Sequence, residues 1–326
     1  MKIARITPAL HTRGFALAVV LVALLCAIVF HAGEPSAPIT GDKGLGLPSA
    51  NLWLPQGILN FTCALLGSAI TTVLMMLLNK IYNVFRAITY IFVPFFLAMQ
   101  LATPELITQV YTGTVLAVII PLCMLLMFNC YRSPDSTRQV FLIMLLLSLF
   151  TATQYCYAIY IPAMLVGFAQ MRIFNRRTHA AALMGILTPW IMLLGFGAVT
   201  VDDLHFPHLT SIFSVIALDD TLLLLLAVGF TVLAMLACFT LNVMRTIAYN
   251  ARARAVNGMF TIVILFTLVA MCADFNNMVS YIPLLNFCAA MEITHYFSTH
   301  RAEKSFIAII SILAVYAALF ACQTII

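Results

Sequence analysis

Charge is what this chain has least of. Only 8% of its 326 residues are Asp, Glu, Lys or Arg, against 63% hydrophobic ones, and the mean hydropathy is +1.07. So little polar surface cannot coat a soluble globule of this length. Other absences narrow the function classes. No G-x-x-x-x-G-K-[ST] or G-x-G-x-x-G phosphate cradle occurs, which argues against an intrinsic ATPase or nucleotide-binding domain. No C-x-x-C occurs among the nine cysteines, so neither a zinc knuckle nor a redox pair is indicated, and thiols packed between helices are expected instead. Cofactors and a nucleic-acid partner are not expected.

What the chain has is long apolar segments. A membrane-crossing helix needs roughly 20 apolar residues, with its backbone polarity satisfied internally because lipid offers no partner. Eleven segments qualify, at 14–30, 58–78, 87–102, 107–128, 140–154, 156–171, 180–200, 221–244, 258–272, 278–297 and 305–322. The stretch 140–171 is long for one helix and short for two. Arg132 and Arg138 precede it and Arg172, Arg176 and Arg177 follow it, so the positive-inside rule wants both ends on one side and a hairpin turning near Thr153 and Gln154.

This threading puts every Lys and Arg except Lys43 on one side of the bilayer. Glu34, Asp42, Glu105, Asp202, Asp203, Asp219, Asp220 and Asp274 fall on or near the other face. The expectation is an all-α polytopic membrane protein, residues 1–326 forming one integral membrane domain in the cytoplasmic membrane. Its N-terminus is cytoplasmic, its C-terminus external, and its largest external loops are 31–57 and 201–220. The first apolar segment follows a basic start, as a signal peptide does, but it is expected to stay uncleaved because no small-x-small site stands close behind Phe30.

Few residues inside the spans carry chemistry. Glu292 and His295 are the ionisable pair within a segment, three residues apart and able to share a helix face. An intramembrane carboxylate usually faces a partner or a wet cavity, although one near the inner end can instead snorkel to water. Asp202, Asp203, His205 and His208 form the densest ligand-like cluster, yet Pro207 breaks helical spacing between the imidazoles, and an ordinary acidic loop is the stronger expectation over a metal site. Asp274, at the start of Asp274-Phe275-Asn276-Asn277, reads as a turn and cap. Arg172, Arg176, Arg177, Arg252 and Arg254 have the donor geometry for anionic head groups, but topology alone also explains them. Prolines at 94, 121, 162, 189 and 283 interrupt spans, where neighbouring helices can satisfy the freed carbonyls.

Several elements carry a family resemblance: Leu78-Asn79-Lys80, the hairpin ending Met171-Arg172-Ile173-Phe174-Asn175-Arg176-Arg177, Gly185-Ile186-Leu187-Thr188-Pro189-Trp190, and Ile282-Pro283-Leu284 with Tyr296-Phe297. In these the chain resembles a multi-pass inner-membrane protein family of Bacteroidota that has no assigned activity. That resemblance implies a polytopic membrane protein and carries over no catalytic residues. A looser likeness is to membrane polyprenyl-linked glycosyltransferases and glycan polymerases, many of which place an acidic catalytic residue in the first external loop, where Glu34 and Asp42 stand. The chain departs from them in offering only Lys43 outside to meet a lipid-linked phosphate.

Three functions follow as expectations. The first is a non-enzymatic envelope component, either the subunit of a membrane-protein partner or a small carrier. The second is an enzyme acting on a lipid-linked saccharide with Glu34 or Asp42 as general base. The third is a proton-coupled transporter using Glu292.

Overall fold

The computed structural model describes residues 9–33, 39, 45–133, 135–204, 222–246, 248–299 and 305–325. Among them the fold is entirely helical. The helices are α1 (Arg13–Gly33), α2 (Ile58–Tyr82), α3 (Phe92–Leu101), the single turn α4 (Pro104–Ile107), α5 (Thr112–Phe128), α6 (Thr137–Thr153), α7 (Tyr160–Gln170), α8 (Arg176–Gly195), α9 (Leu222–Thr246), α10 (Ala251–Ala273), α11 (Met278–Thr299) and α12 (Ser305–Ile325). Six of them, α1, α2, α8, α9, α10 and α12, are long and apolar enough to cross a membrane.

The axis of the bundle is α11. All of it except Val279, Tyr296 and Thr299 is buried, packed by α9, α5, α10 and α3. Small side chains at Cys288, Ala289 and Ala290, all without exposed surface, let neighbours approach its middle. Pro283 sits one and a half turns in, where its missing donor frees only one carbonyl near the start of the helix.

The connections gather at two ends. At one, Arg13 Nε donates to Tyr90 Oη (2.7 Å), Tyr82 Oη to the Leu125 carbonyl (2.9 Å), and Ser298 Oγ to the Phe85 carbonyl (3.3 Å). At the other, the Gly46 and Leu47 amides donate to the Ala152 carbonyl (3.1 and 2.8 Å), the Val110 amide to Asn60 Oδ1 (2.6 Å), and Tyr157 Oη to the Thr112 carbonyl (3.2 Å). The described Arg and Lys side chains belong to the first end, whose helix termini carry Arg13, Lys80, Arg138, Arg176, Arg245 and Arg252.

The stretch 140–171 does break at Gln154, whose extended backbone (φ −158°, ψ 131°) ends α6. A 3-10 turn at Tyr155–Tyr157 leads into α7. The segment that leads into the stretch meets its far end, the Arg132 amide donating to the Met171 carbonyl at 3.1 Å. The main partner of α6 is nonetheless α8 and not α7. Gly185 of α8 makes that approach possible, since a Cβ there would stand 2.7 Å from the Phe141 carbonyl and 2.8 Å from Met144 Cβ. Ser148 Oγ adds a 2.6 Å hydrogen bond to the Ile186 carbonyl.

Three helices are shorter than their apolar segments. Segment 87–102 supplies only α3, ten residues or about 15 Å at 1.5 Å per residue, because Arg86 adopts a left-handed conformation (φ 52°) and Pro94 cannot sit deep in a helix. Segment 156–171 supplies the eleven residues of α7, preceded by the 3-10 turn. Segment 107–128 starts its long helix only at Thr112. Irregular backbone is tolerated here because protein surrounds it: Phe92, Phe95, Phe96, Tyr111, Tyr157 and Tyr160 are all fully buried.

Gly185→Ala is expected to lower stability by about 1–3 kcal/mol through overpacking against α6. Gly229→Ala in α9, where nothing lies within 4 Å of an added Cβ, is expected to be neutral or slightly stabilising. Thermal unfolding midpoints of the two variants in one detergent check the contrast.

Candidate functional site

A cavity of about 330 Å³ opens at the arginine-rich end between α9 and α10, with α11 as its floor. Helical periodicity builds it. Phe239, Asn242, Val243 and Thr246 recur at i, i+3, i+4 and i+7 on α9, and Arg254, Asn257, Gly258 and Thr261 repeat that spacing on α10. Each set is one helix face. Both helices pack on α11 but scarcely on each other, so a cleft remains between them.

The floor carries Glu292 and His295 on one face of α11, at 7% and 3% exposure. Glu292 does not snorkel. Asn242 Nδ2 donates to Glu292 Oε2 at 2.8 Å and to the Glu292 carbonyl at 3.0 Å, tying α9 to α11 through one amide. Among the described residues no ion pair reaches this carboxyl, and Oε1 takes no hydrogen bond. His295 Nε2 lies 3.3 Å from Tyr249 Oη, and the Arg86 guanidinium sits 3.9 Å over the Tyr249 ring. Ser298 Oγ donates to the His295 carbonyl at 2.9 Å, continuing the polar chain to the end of the helix. Gly258 completes the α10 wall, and the amide of Gln170 on α7 fills the space a side chain would need there.

Of the arginines singled out from the sequence, Arg254 lines the cavity, exposed at its rim. Arg252 lies two residues away on another face, 6.0 Å over the Tyr82 ring. Arg172, Arg176 and Arg177 are exposed around the start of α8 and do not line the cleft. That start is capped by Asn175, whose Oδ1 accepts from the Thr178 amide at 2.9 Å. Asp202 is exposed in the 3-10 turn Val201–Asp203; the Asp203 side chain, His205 and His208 lie outside the described residues, as do Glu34 and Asp42. Among the described residues no three His, Cys, Asp or Glu side chains gather as metal ligands.

The structure also assembles a carboxylate network that sequence reasoning missed. Asp274 ends α10 and is entirely buried. Its Oδ2 accepts from Tyr155 Oη (2.7 Å) and Tyr281 Oη (3.2 Å), while Oδ1 accepts from Asn277 Nδ2 (3.1 Å). Its amide donates to the Ala270 carbonyl at 2.8 Å, so the expected turn role is real but incomplete. Asp274 joins α7's leading turn, α10 and α11 at the end opposite the cleft. The available sequence signal was Tyr281, seven residues on from Asp274 and so at the spacing of two helical turns.

No family model matches the chain, and no curated protein or solved structure is similar to it.

Asp274→Asn is expected to destabilise the protein by about 1–3 kcal/mol, because an amide NH₂ would face groups that donate and leave them unpaired. Tyr155→Phe removes one donor and is expected to cost less. Denaturant midpoints of both variants, compared with the parent, test that order.

Proposed function

We propose that the chain is an eleven-pass protein of the cytoplasmic membrane, N-terminus inside and C-terminus outside, that works as a small carrier. The cleft between α9 and α10 is its substrate site, and Glu292 is its proton-exchanging group. One observation carries this reading: a carboxyl inside the helix bundle borders a cavity and is held by an amide instead of a cation. A purely structural intramembrane carboxylate would be expected to have a charged or multiply donating partner, as Asp274 has its three donors. Two further facts support the topology. Among the described residues the contacts between helix ends fall into two groups, and the described Arg and Lys residues collect at one of them. The resemblance to a Bacteroidota inner-membrane family implies the same membrane class. The enzymatic reading rests on Glu34 and Asp42, and no described residue lends it support.

Reporter fusions are expected to put Arg132, Arg176 and Arg252 on the cytoplasmic side and Lys43 outside; Arg132 and Arg176 on opposite sides would reject the eleven-pass threading. For the carboxyl, a hydrophobic carbodiimide, which attacks carboxyls that carry a proton in apolar surroundings, is expected to add its mass to the α11 peptide. That adduct should vanish in Glu292→Gln, a change that keeps the shape but cannot exchange a proton. An unlabelled Glu292 in the folded protein across acid and neutral pH removes the proton-exchange role.

A further inference from the structure

We infer that the cleft takes a zwitterion, an ammonium seated on Glu292 and an anionic phosphate held by Arg254, and that its source is the head group of an aminophospholipid. This inference rests on the reading of the cleft as a binding site and adds to it the chemical class of the ligand.

The charges are arranged for such a ligand. Glu292 and Arg254 border one cavity of about 330 Å³ but belong to different helices and different depths. Arg254 lies in the first turn of α10, about 5 Å in from Ala251, whereas Glu292 lies seven residues from the end of α11, about 10 Å, at 1.5 Å per residue. A small cation alone would use Glu292 and leave the Arg254 donors at the rim without a part in binding. An anion alone would meet Glu292 at the floor. A molecule with both charges satisfies both groups. Glu292 Oε2 is already taken by Asn242, so the ammonium is offered Oε1, with Asn257 and Thr261 on the facing wall.

Arg254 stands in the first turn of α10, whose start is capped by Asn250, its Oδ1 accepting from the Ala253 amide at 2.9 Å, so the guanidinium is set by an ordered helix end. A guanidinium carries five donors, so Arg254 can serve a phosphate alongside any protein partner.

A lipid source is favoured by the walls. Phe239 and Val243 are the apolar part of the α9 wall, beside Asn242 and Thr246, and Val243 is 40% exposed. Since α9 and α10 scarcely pack on each other, the cleft is open along the gap between them as well as at the arginine-rich end. Acyl chains leave through that gap while the head group stays inside.

The test is lipid retention by the full-length protein. Protein purified in mild detergent is mixed with vesicles of phosphatidylethanolamine, phosphatidylcholine or phosphatidylglycerol, re-isolated, and its bound lipid counted by native mass spectrometry. Soluble phosphoethanolamine is run as a competitor. The expected result is at least tenfold preference for phosphatidylethanolamine. A quaternary ammonium has no N–H to donate to Glu292, and a glycerol head has no cation. Glu292→Gln should reduce the preference severalfold, and Arg254→Gln should lower the amount of phosphatidylethanolamine retained severalfold. Arg254 is exposed, so its variant tests the idea even if Glu292→Gln fails to fold. Equal retention of the three lipids, or unaltered retention of phosphatidylethanolamine in Arg254→Gln, overturns the inference. Binding of phosphoethanolamine without any lipid preference overturns the lipid source. Carbodiimide labelling is read separately, so lipid selectivity without a proton-exchanging Glu292 would sink the carrier's coupling and leave the ligand class standing.

Discussion

The structure depends on one helix that has no lipid face. Because α11 is enclosed by protein, its polar side chains must find partners on neighbouring elements, and five of them do, while Thr294 Oγ1 is buried without one. Tyr281 reaches Asp274, Asn286 reaches Gln100 of α3 at 3.3 Å, Glu292 reaches Asn242 of α9, His295 meets Tyr249 beyond α9, and Ser298 reaches the carbonyl of Phe85. Apolar packing alone would let neighbouring helices slide against α11 by a turn at little cost. Leaving one buried polar group unpaired costs about 1–3 kcal/mol, so these five contacts, each to a different element, pin the register of the bundle.

Among the six long spans the most apolar, α1, α9 and α12, are on the perimeter, where Leu17, Leu21, Leu25, Leu233 and Ile307 are all more than half exposed. The central helix is less apolar and is missing from the six that qualify as crossings by length and composition. Lipid tolerates nothing but hydrocarbon, whereas protein neighbours can supply hydrogen bonds. Hydropathy therefore separates the long perimeter spans from the central helix, while the shorter α3 and α5 are equally apolar and buried.

This explains what could be read from the residues. Each of the eleven apolar segments holds a helix, and the break at Gln154 stands where the arginine pattern required a turn. The overestimates, α3 and α7, came from apolar residues that are buried in irregular backbone, which hydrophobicity cannot tell from helix. The Glu292 and His295 pair was visible because an ionisable residue inside an apolar run is conspicuous. Their surroundings were not. Asn242, Tyr249 and Asn257 look like ordinary polar residues near helix ends, and only the packing of α9 and α10 on α11 brings them together. Asp274 was read as a cap for the same reason. Its phenolic partner Tyr155 is 119 positions away, a separation no local pattern encodes.

The arginine-rich end also does more than orient the chain. Arg86, Arg132 and Arg172 all have left-handed backbones, with φ of 52°, 58° and 57°. Glycine would sit there without the roughly 1–2 kcal/mol that such a conformation costs other residues. At Arg86 the compensation is visible, since a guanidinium over an aromatic face contributes about 0.5–2 kcal/mol, and Tyr249 beneath it reaches His295 at the cleft floor. At Arg132 the left-handed turn delivers its amide to Met171 and closes the 132–172 segment on itself. Charge retention at one end and local fold are thus met by the same residues. A chain with only 16 cationic side chains in 326 residues has few to spare, and here the ones it keeps at helix ends also brace the loops beneath the cleft.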